Sequence, residues 1–561
     1  MCLAESIRYL PPNLIPDVAS RISNCVNPQR PAANIGLSLG SLVKLIEATM
    51  DLDNCSNRYK TQEEKPSFMV RNVLEPKIRE LLEAIIKFLL SVTESSDGLH
   101  IGVDCLQHVI SLFSDGQSLR AVSDLISSAC MSLWKKFPSD PLLIVGIIDC
   151  LSLTCTDPVA GNSVLQVVLP QIVAALAGDV INDVALQTSI DLLSEFLKHR
   201  NSDSEVPQIL IDQVFPSLCK TLLQTADTQA LQSGSECLRH FLRVYPTVLG
   251  TMTFTVVIDG QQVQTTGTDA ILHTISKLLR PDFVEDAALF VGPLVIRFLR
   301  TFITQLPEAM LVQLCSIVLF RYSKARMFAL QQSLLMVLVH LSFLINFEIF
   351  IKILSQVTVE GQKSAIEYFF SAFAEHHPNF YSSFDIKVSL RFAMNLCLTS
   401  SQVLDSIQVF GESLDSMSTI TTRAQRRKQK HDERKVVPLK VKLFKNILAI
   451  FYDFFEDSKI PRQVYDSDDD VEDFLDGEAN FTQGSSFCDM EELDLLEQLV
   501  GEETVAGSNF DEAEFGEEPL FKFEVIPLVQ EFVKSSGVFI SEIAGYLTAE
   551  EKKIIDLILS S

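Results

Sequence analysis

The sequence predicts an all-α fold: a HEAT-repeat superhelical solenoid of the armadillo-like α-α type, interrupted by a disordered acidic loop and closed by a helical C-terminal cap. Three observations carry this expectation. A two-helix pattern recurs with a period in the mid-forties, the apolar residues of each copy fall on one helical stripe, and most of the net charge sits in one segment near the C-terminus. The chain has 561 residues. A single hydrophobic core stops growing at roughly 250 to 300 residues, so several domains or a repeat array are required. At 47% apolar residues the chain has enough surface to bury.

The repeat is visible in the residues themselves. ALQTSIDLLSEFLK (185–198) realigns with ALQSGSECLRHFLR (230–243) at an offset of 45. In the helix before each, Val168, Pro170, Ile172 and Leu176 recur as Val214, Pro216, Leu218 and Leu222 at an offset of 46. A third copy, ALQQSLLMVLVHL, opens at Ala329, 144 residues after Ala185, or three units of 48. Two helices in a period of this length are the HEAT signature. Leu186, Ile190, Leu193 and Leu197 lie at i, i+4, i+7 and i+11, drawing one apolar stripe, and Asn182 or Asp183 is placed to cap the helix start. One helix pair cannot bury such a stripe alone. Stacking buries it, and the array then offers an extended concave face suited to macromolecular partners.

Three stretches need separate treatment. TFTVVIDGQQVQTT, within 252–266, alternates about Asp259-Gly260, the turn pair of a type I′ hairpin, and reads as a small β insert. LLMVLVHLSFLINFEIFIKIL (334–354) is long enough to span a bilayer, but His340, Asn346, Glu348 and Lys352 within it predict two buried helices broken near Asn346, with no membrane insertion. The twelve cysteines are scattered, and the nearest pair, Cys150 and Cys155, lacks zinc or redox spacing. Buried thiols in a reducing compartment follow. The start, MCLAESIRYLPPNL, has neither a secretory nor a transit pattern, so an intracellular location is expected.

Toward the C-terminus the organisation changes. The solenoid is expected over 1–420, followed by a polar basic loop at 421–435, TTRAQRRKQKHDERK, and a further repeat helix at 436–457. The loop carries Arg423, Arg426, Arg427, Lys428, Lys430, Arg434 and Lys435, which read as a solvated turn or as a nuclear localisation signal. Residues 463–521 contain no lysine or arginine, and 466–518 hold twenty acidic residues, against a whole-chain net charge of −26. The acidic blocks are Asp466, Asp468, Asp469, Asp470, Glu472 and Asp473, then Glu491, Glu492 and Asp494, then Asp511, Glu512, Glu514, Glu517 and Glu518. Packed together they would repel one another, so 463–518 is expected to be a disordered loop. Inside it, MEELDLLEQLV from Met490 places Leu493, Leu496 and Val500 on one helical face as a candidate docking helix. The stretch 519–561 returns to amphipathic helices, with a capping box at Thr548 and Glu551, and is expected to cap the array.

Signatures of catalysis are missing. The sequence has no P-loop, GxGxxG, HExxH, GxSxG or kinase motif set, and His376 and His377 are adjacent before a proline, so they face apart. No catalytic residue, metal site or cofactor is expected. The acidic tract interleaves Phe474, Phe481, Phe487, Phe510 and Phe515 with its carboxylates, a pattern suited to a basic, partly apolar partner. Nucleic acid is not a partner of this tract, because phosphates would be repelled. A plain solvating loop, and pairing of the basic loop with the acidic tract, are the alternatives.

The order of features resembles the importin-9 branch of the karyopherin-β nuclear import receptors. The matching stretches are LQSGSECLRHFL from Leu231, ALFVGPLV from Ala288, QQSLLMVLVHL from Gln331, GES and TTRAQRRK within 411–428, VPLKVKLFKNIL from Val437, the acidic tract, and PLFKFEVIPLVQEFV at the end. The resemblance implies a receptor that shuttles between cytoplasm and nucleus, contacts nucleoporins, and carries core histones, ribosomal proteins and other basic cargo. It further implies release governed by the small GTPase Ran and an acidic loop that covers basic cargo. It covers only the second half of a family member. The N-terminal repeats that hold the family's main Ran surface have no counterpart, so Ran binding by this chain alone is not expected. A histone chaperone without transport, or a passive HEAT scaffold such as a regulatory subunit, would use the same features.

Overall fold

The repeat read from the sequence is a repeat of helix pairs. In the computed structural model, residues 14–55, 65–94, 97–113, 116–138, 140–177, 183–200, 207–258, 260–359, 364–413, 434–459 and 524–560 are described. The fold is all-α and HEAT-like, with two short β-hairpins, and divides into Met1–Leu278 with Asp286–Phe290, and Leu279–Glu285 with Val291–Ser561.

The first unit contains α1 (Ile15–Cys25), α2 (Ala32–Cys55), α3 (Pro66–Leu74), α4 (Ile78–Ser91), α5 (Asp97–Ser111), α6 (Gly116–Arg120) and α7 (Ser123–Lys136). It continues through α8 (Pro141–Cys155), α9 (Pro158–Ala177), α10 (Asp183–Lys198), α11 (Phe215–Gln224), α12 (Thr228–Val244), α13 (Pro246–Thr251) and α14 (Gly267–Leu278). Helices α4, α7, α9, α11 and α14 pack side by side in one layer, and α2, α5, α8, α10 and α12 in a second. The stripe on α10 is buried as its spacing requires: Ile190, Leu193 and Leu197 are inaccessible, while Leu186 is half-buried. Asn182 lies outside the described residues, and Asp183 is the first residue of α10. Neighbouring helices start on aspartate caps, Asp140 accepting from Leu143 N at 3.1 Å and Asp227 from Ala230 N at 2.7 Å.

A second device joins successive pairs. Arg243, near the end of α12, donates to the carbonyls of Leu197, Lys198 and Arg200 at the end of α10, at 2.8 to 3.0 Å. Lys277 of α14 likewise donates to Leu222, Leu223 and Thr225 beyond α11, at 2.5 to 3.1 Å. Each cation satisfies carbonyls that a helix leaves unpaired and meets the negative end of its dipole. Between α13 and α14, β1 (Thr253–Ile258) and β2 (Gln261–Thr266) pair antiparallel, with Ile258 opposite Gln261. The turn residue Gly260 has φ +79°, a conformation that glycine adopts freely. Asp259 lies outside the described residues.

The second unit contains α15 (Val291–Phe302), α16 (Glu308–Lys324), α17 (Phe328–Leu344), α18 (Phe347–Gln356), α19 (Ala365–His376), α20 (Ser383–Leu398) and α21 (Gln402–Ser406). After them come β3 (Gln408–Ser413), β4 (Arg434–Pro438), α22 (Leu439–Lys459), α23 (Val525–Ser535), α24 (Gly537–Ile543) and α25 (Ala549–Ser560). The third ALQ copy opens α17, and the long apolar run breaks at Asn346, whose side chain accepts from Glu348 N at 2.7 Å to start α18. By length and composition alone α9 and the stretch Asp286–Gln305 could also cross a membrane; α9 instead buries Val164, Leu165, Val168 and Ile172 and packs on α7, α8 and α10. Helices α23 and α25 pack on α22 and on each other. Thr548 and Glu551 exchange both bonds of a capping box, at 2.7 and 3.2 Å, and Glu551 also pairs with Lys445 of α22 at 2.9 Å.

The chain departs from expectation at the second hairpin. Residues 408–413 were expected within the helical solenoid, 421–435 as loop throughout and 436–457 as helix. Instead β3 pairs with β4, Val409 opposite Val437 and Phe410 opposite Val436, so Arg434 and Lys435 are strand residues and the helix begins at Leu439. The two valines of the first pair are buried, and Phe410 and Val436 are exposed. This period-two burial is divided between segments twenty residues apart, too little in either one to signal a strand.

Close helix contacts make some glycines obligatory. A Cβ on Gly292 of α15 would lie 2.1 Å from Ser333 Oγ and 2.5 Å from its carbonyl oxygen on α17. Gly292→Ala is therefore expected to lower stability by about 2 kcal/mol, within the range for overpacking a tight contact, and urea unfolding of the full chain will measure it. Gly537→Ala, where the added carbon meets nothing within 4 Å, serves as the control. Among the described residues eight cysteines are buried and unpaired, and burial pushes the thiols of Cys155, Cys315 and Cys397 up to about 12.

Candidate functional site

The acidic residues singled out from the sequence, Asp466, Asp468, Asp469, Asp470, Glu472, Asp473, Glu491, Glu492, Asp494, Asp511, Glu512, Glu514, Glu517 and Glu518, lie outside the described residues, as do Arg423, Arg426, Arg427, Lys428, Lys430 and the 490–500 segment. The described residues carry a different acidic surface, which no motif announced. It lies across three consecutive second-layer helices of the first unit, at half-buried positions beside the apolar stripe.

Helix α8 contributes Asp149 and Ser152, α10 contributes Asp191, Glu195 and Lys198 with His199 just beyond, and α12 contributes Ser233 and Glu236. The spacing follows from helix geometry. Asp191 and Glu195, four apart, share one face of α10, while Ile190, Leu193 and Leu197 occupy the buried face. Ser152 Oγ donates to Glu195 Oε2 at 2.7 Å and lies 3.3 Å from His199 Nε2. Lys198 Nζ reaches Glu195 Oε1 at 3.3 Å. Although Ser152 and His199 are adjacent, the serine proton is directed to Glu195, so the pair is not arranged as a nucleophile and its base.

The carboxyl groups perturb one another. Burial raises the Asp149 carboxyl, and the charge of Glu195 raises it further, with Lys198 opposing. Asp191 is raised by burial and by Glu195 against a hydrogen bond from Ser233. Glu236 is raised by burial, which Arg239 opposes and Glu195 and Asp191 reinforce. His199 is lowered, chiefly by burial, so its imidazole is held neutral and does not neutralise the acids. The folded chain thus disfavours these negative charges, and a cation brought to this face relieves the cost. Among the described residues no group of His, Cys, Asp and Glu has the arrangement of a metal site. A periodic signal was available: Asp191 and Glu236 occupy the same place in the two repeat copies, 45 residues apart.

A second feature lies in the other unit. A cavity of about 540 Å³ is lined by Leu398, Leu404, Lys440, Val538, Phe539 and Tyr546, with a Lys440–Asp405 ion pair of 2.7 Å in its wall. Its mixed lining, which also includes Ser535, Ser536 and Glu542, could accept a side chain.

No family model matches the chain. It is 24% identical over 412 residues to importin-9 of Drosophila melanogaster, covering 69% of this chain and 38% of that protein. It is also 24% identical over 394 residues to importin subunit beta-5 of Schizosaccharomyces pombe, covering 70% of this chain and 37% of that one. The chain therefore spans well under half the length of these relatives. Among solved structures, Kap121p bound to Pho4p is a remote match, with TM-score 0.25, 13% identity, and coverage of 82% of this chain and 59% of that one. In sequence the chain is karyopherin-like.

Proposed function

Starting from a chain whose likeness is to importins, we propose that it is a cargo-binding part of a karyopherin-type nuclear import receptor and holds basic proteins such as core histones and ribosomal proteins. The observation that carries this reading is the row of acidic side chains on α8, α10 and α12, whose charged forms desolvation and mutual repulsion disfavour. Stability would be served by neutral residues there, whereas a cationic partner is served by the charges. The acidic tract at 466–518 adds a long-range term, attracting the same partner from a distance that salt shortens. Shuttling between cytoplasm and nucleus, contact with nucleoporins and Ran-governed release belong to the same reading through the importin likeness.

The test is binding of a purified core-histone dimer by fluorescence anisotropy at low and physiological salt. Three proteins are compared: the full chain, a chain lacking 463–518, and the quadruple variant Asp149→Asn, Asp191→Asn, Glu195→Gln, Glu236→Gln. The full chain is expected to bind in a salt-sensitive manner, and the quadruple variant to bind on the order of tenfold more weakly, the equivalent of about 1.4 kcal/mol. Its thermal midpoint should stay close to that of the parent, because the charges of Asp149, Asp191 and Glu236 are ones the fold disfavours, which offsets the loss of the Glu195–Lys198 ion pair. Histone binding that is undiminished in both altered proteins would overturn the reading.

A further inference from the structure

The cavity in the second unit opens onto side chains that the fold leaves uncovered. At its rim Leu398, the last residue of α20, is 54% exposed, Val538 on α24 78%, and Tyr546 beyond α24 49%. Leu404 and Phe539 line it behind them, and Phe539 packs edge-on against Phe444 of α22 at 5.7 Å. The apolar surface continues onto the second hairpin. Pro438 also lines the cavity, and Val436, two residues earlier on β4, shares its face of the strand. Val436 and its cross-strand partner Phe410 are each 53% exposed. The result is a groove from the hairpin to α24. Its deep end of about 540 Å³ is within the roughly 300 to 1,000 Å³ of pockets that bury a ligand. The lining holds one cation, Lys440, already paired with Asp405 at 2.7 Å, and the carboxylate of Glu542, so apolar side chains rather than charge decide what fits.

The connection between α22 and α23 has both of its ends near this groove. Lys440 and Val441 belong to the first turn of α22, and Ser535 ends α23, so both helices line it. Residues 460–523 therefore start about 30 Å from the groove, the length of the 21-residue α22, and end about 16 Å from it, the length of the 11-residue α23. Within them Leu493, Leu496 and Val500 recur at i, i+3 and i+7, the spacing of one helical face. Met490 follows Lys459 by 31 residues, and Glu524 follows Val500 by 24. At up to roughly 3.3 Å per residue, both stretches can cover their distances several times over.

We infer that residues 490–500, which lie outside the described residues, dock as a helix in this groove of their own chain. Leu493, Leu496 and Val500 are seated between Leu398, Val538 and Tyr546. Burial of apolar surface on both sides drives the contact, while Glu491, Glu492, Asp494 and Glu497 remain in water. The contact pins the middle of the acidic tract to the second unit and leaves the blocks at 466–473 and 511–518 on either side of it. It stands independently of the cargo reading.

The test is competition between the tethered segment and a free copy. A labelled peptide of residues 489–501 is titrated by fluorescence anisotropy with the full chain and with the chain lacking 463–518. The peptide is expected to bind the shortened chain, and to bind the full chain about tenfold more weakly, because a segment on a short tether has an effective concentration in the millimolar range. Leu493→Ser with Leu496→Ser in the full chain should restore binding to the level of the shortened chain. Val538→Ser and, separately, Leu398→Ser in the shortened chain should each weaken it several-fold without altering the circular dichroism melt, since both positions are exposed. Absence of peptide binding, equal binding by the full and shortened chains, or equal binding of a shuffled peptide of the same composition would each overturn the inference. Sedimentation velocity at the same concentrations tests for a segment seated in a second copy: a dimer formed by the full chain and not by the shortened one would overturn the intrachain assignment. Histone binding by the face on α8, α10 and α12 is read separately, so failure here leaves that reading intact.

Discussion

Acidification from pH 6.5 to 4.5 is expected to cost the second unit roughly 5 kcal/mol of stability through two histidines. His340 and His377 are both inaccessible, and burial holds each imidazole down at about 3, with the charge of Arg300 adding to the effect at His340. Arg300 Nη2 lies 3.3 Å from His340 Nδ1 and can donate to it only while that nitrogen is unprotonated, and the other face of the ring stacks on Phe384. His377 stacks on Phe373 and meets Phe380 edge-on, and neither of its ring nitrogens has a hydrogen-bond partner among the described residues. In the unfolded chain both take up protons below the ordinary value of 6.5, while in the folded chain both remain neutral to about 3. Stability from this source is therefore complete above pH 6.5 and falls as pH drops, by a little over 1 kcal/mol per pH unit for each ring. Urea unfolding of the full chain at the two pH values will measure the loss. His340→Gln, which keeps an acceptor for Arg300, and His377→Phe, which keeps the stack, should each remove about half of it. An acid sensitivity that persists unchanged in the double variant would show that these rings are not its source.

Truncating Phe369 to alanine is expected to lower stability by about 4 kcal/mol, within the range for removing a buried aromatic from a core that cannot collapse. The ring is inaccessible and joins three helices: it meets Phe350 of α18 edge-on at 5.9 Å, Phe370 on its own helix at 5.1 Å and Phe392 of α20 at 6.2 Å. Phe392 in turn meets Phe373 edge-on at 5.1 Å, so the cluster is continuous and the cavity has no mobile wall to fill it. Loss of the cluster should uncouple α18 and α19 from α20. Chemical unfolding followed by circular dichroism tests this, with Phe369→Leu, expected to lose about 1 to 2 kcal/mol, as the graded comparison. A loss below 1 kcal/mol for the alanine variant would mean that the neighbouring rings close the gap.

Much of the fold was legible because it is written in local periodicities. The 45-residue offset between ALQTSIDLLSEFLK and ALQSGSECLRHFLR placed α10 and α12, and the position of Asn346 separated α17 from α18. Asp259-Gly260 marked the turn between β1 and β2, and Thr548 with Glu551 marked the start of α25. Each of these signals is a motif of fewer than twenty residues or, for the ALQ helix, the recurrence of one. The second hairpin was illegible because β3 becomes a strand only by pairing with β4 across twenty intervening residues. The cations that close preceding helix ends, Arg243 and Lys277, were equally silent: a single basic residue in a helix has many uses, and only its neighbour forty or fifty residues back reveals which one applies.

The candidate site divides the same way. By itself the sequence determined that the chain is helical and repeating, that its charge is concentrated at 466–518, and that it resembles import receptors, because composition, period and run length need no knowledge of what touches what. Only the tertiary structure decided that Asp149, Asp191, Glu195 and Glu236 form one surface. In the sequence these are isolated residues in separate apolar helices. Stacking turns the same faces of successive helices outward together, and lowered solvation then makes each charge felt by the next.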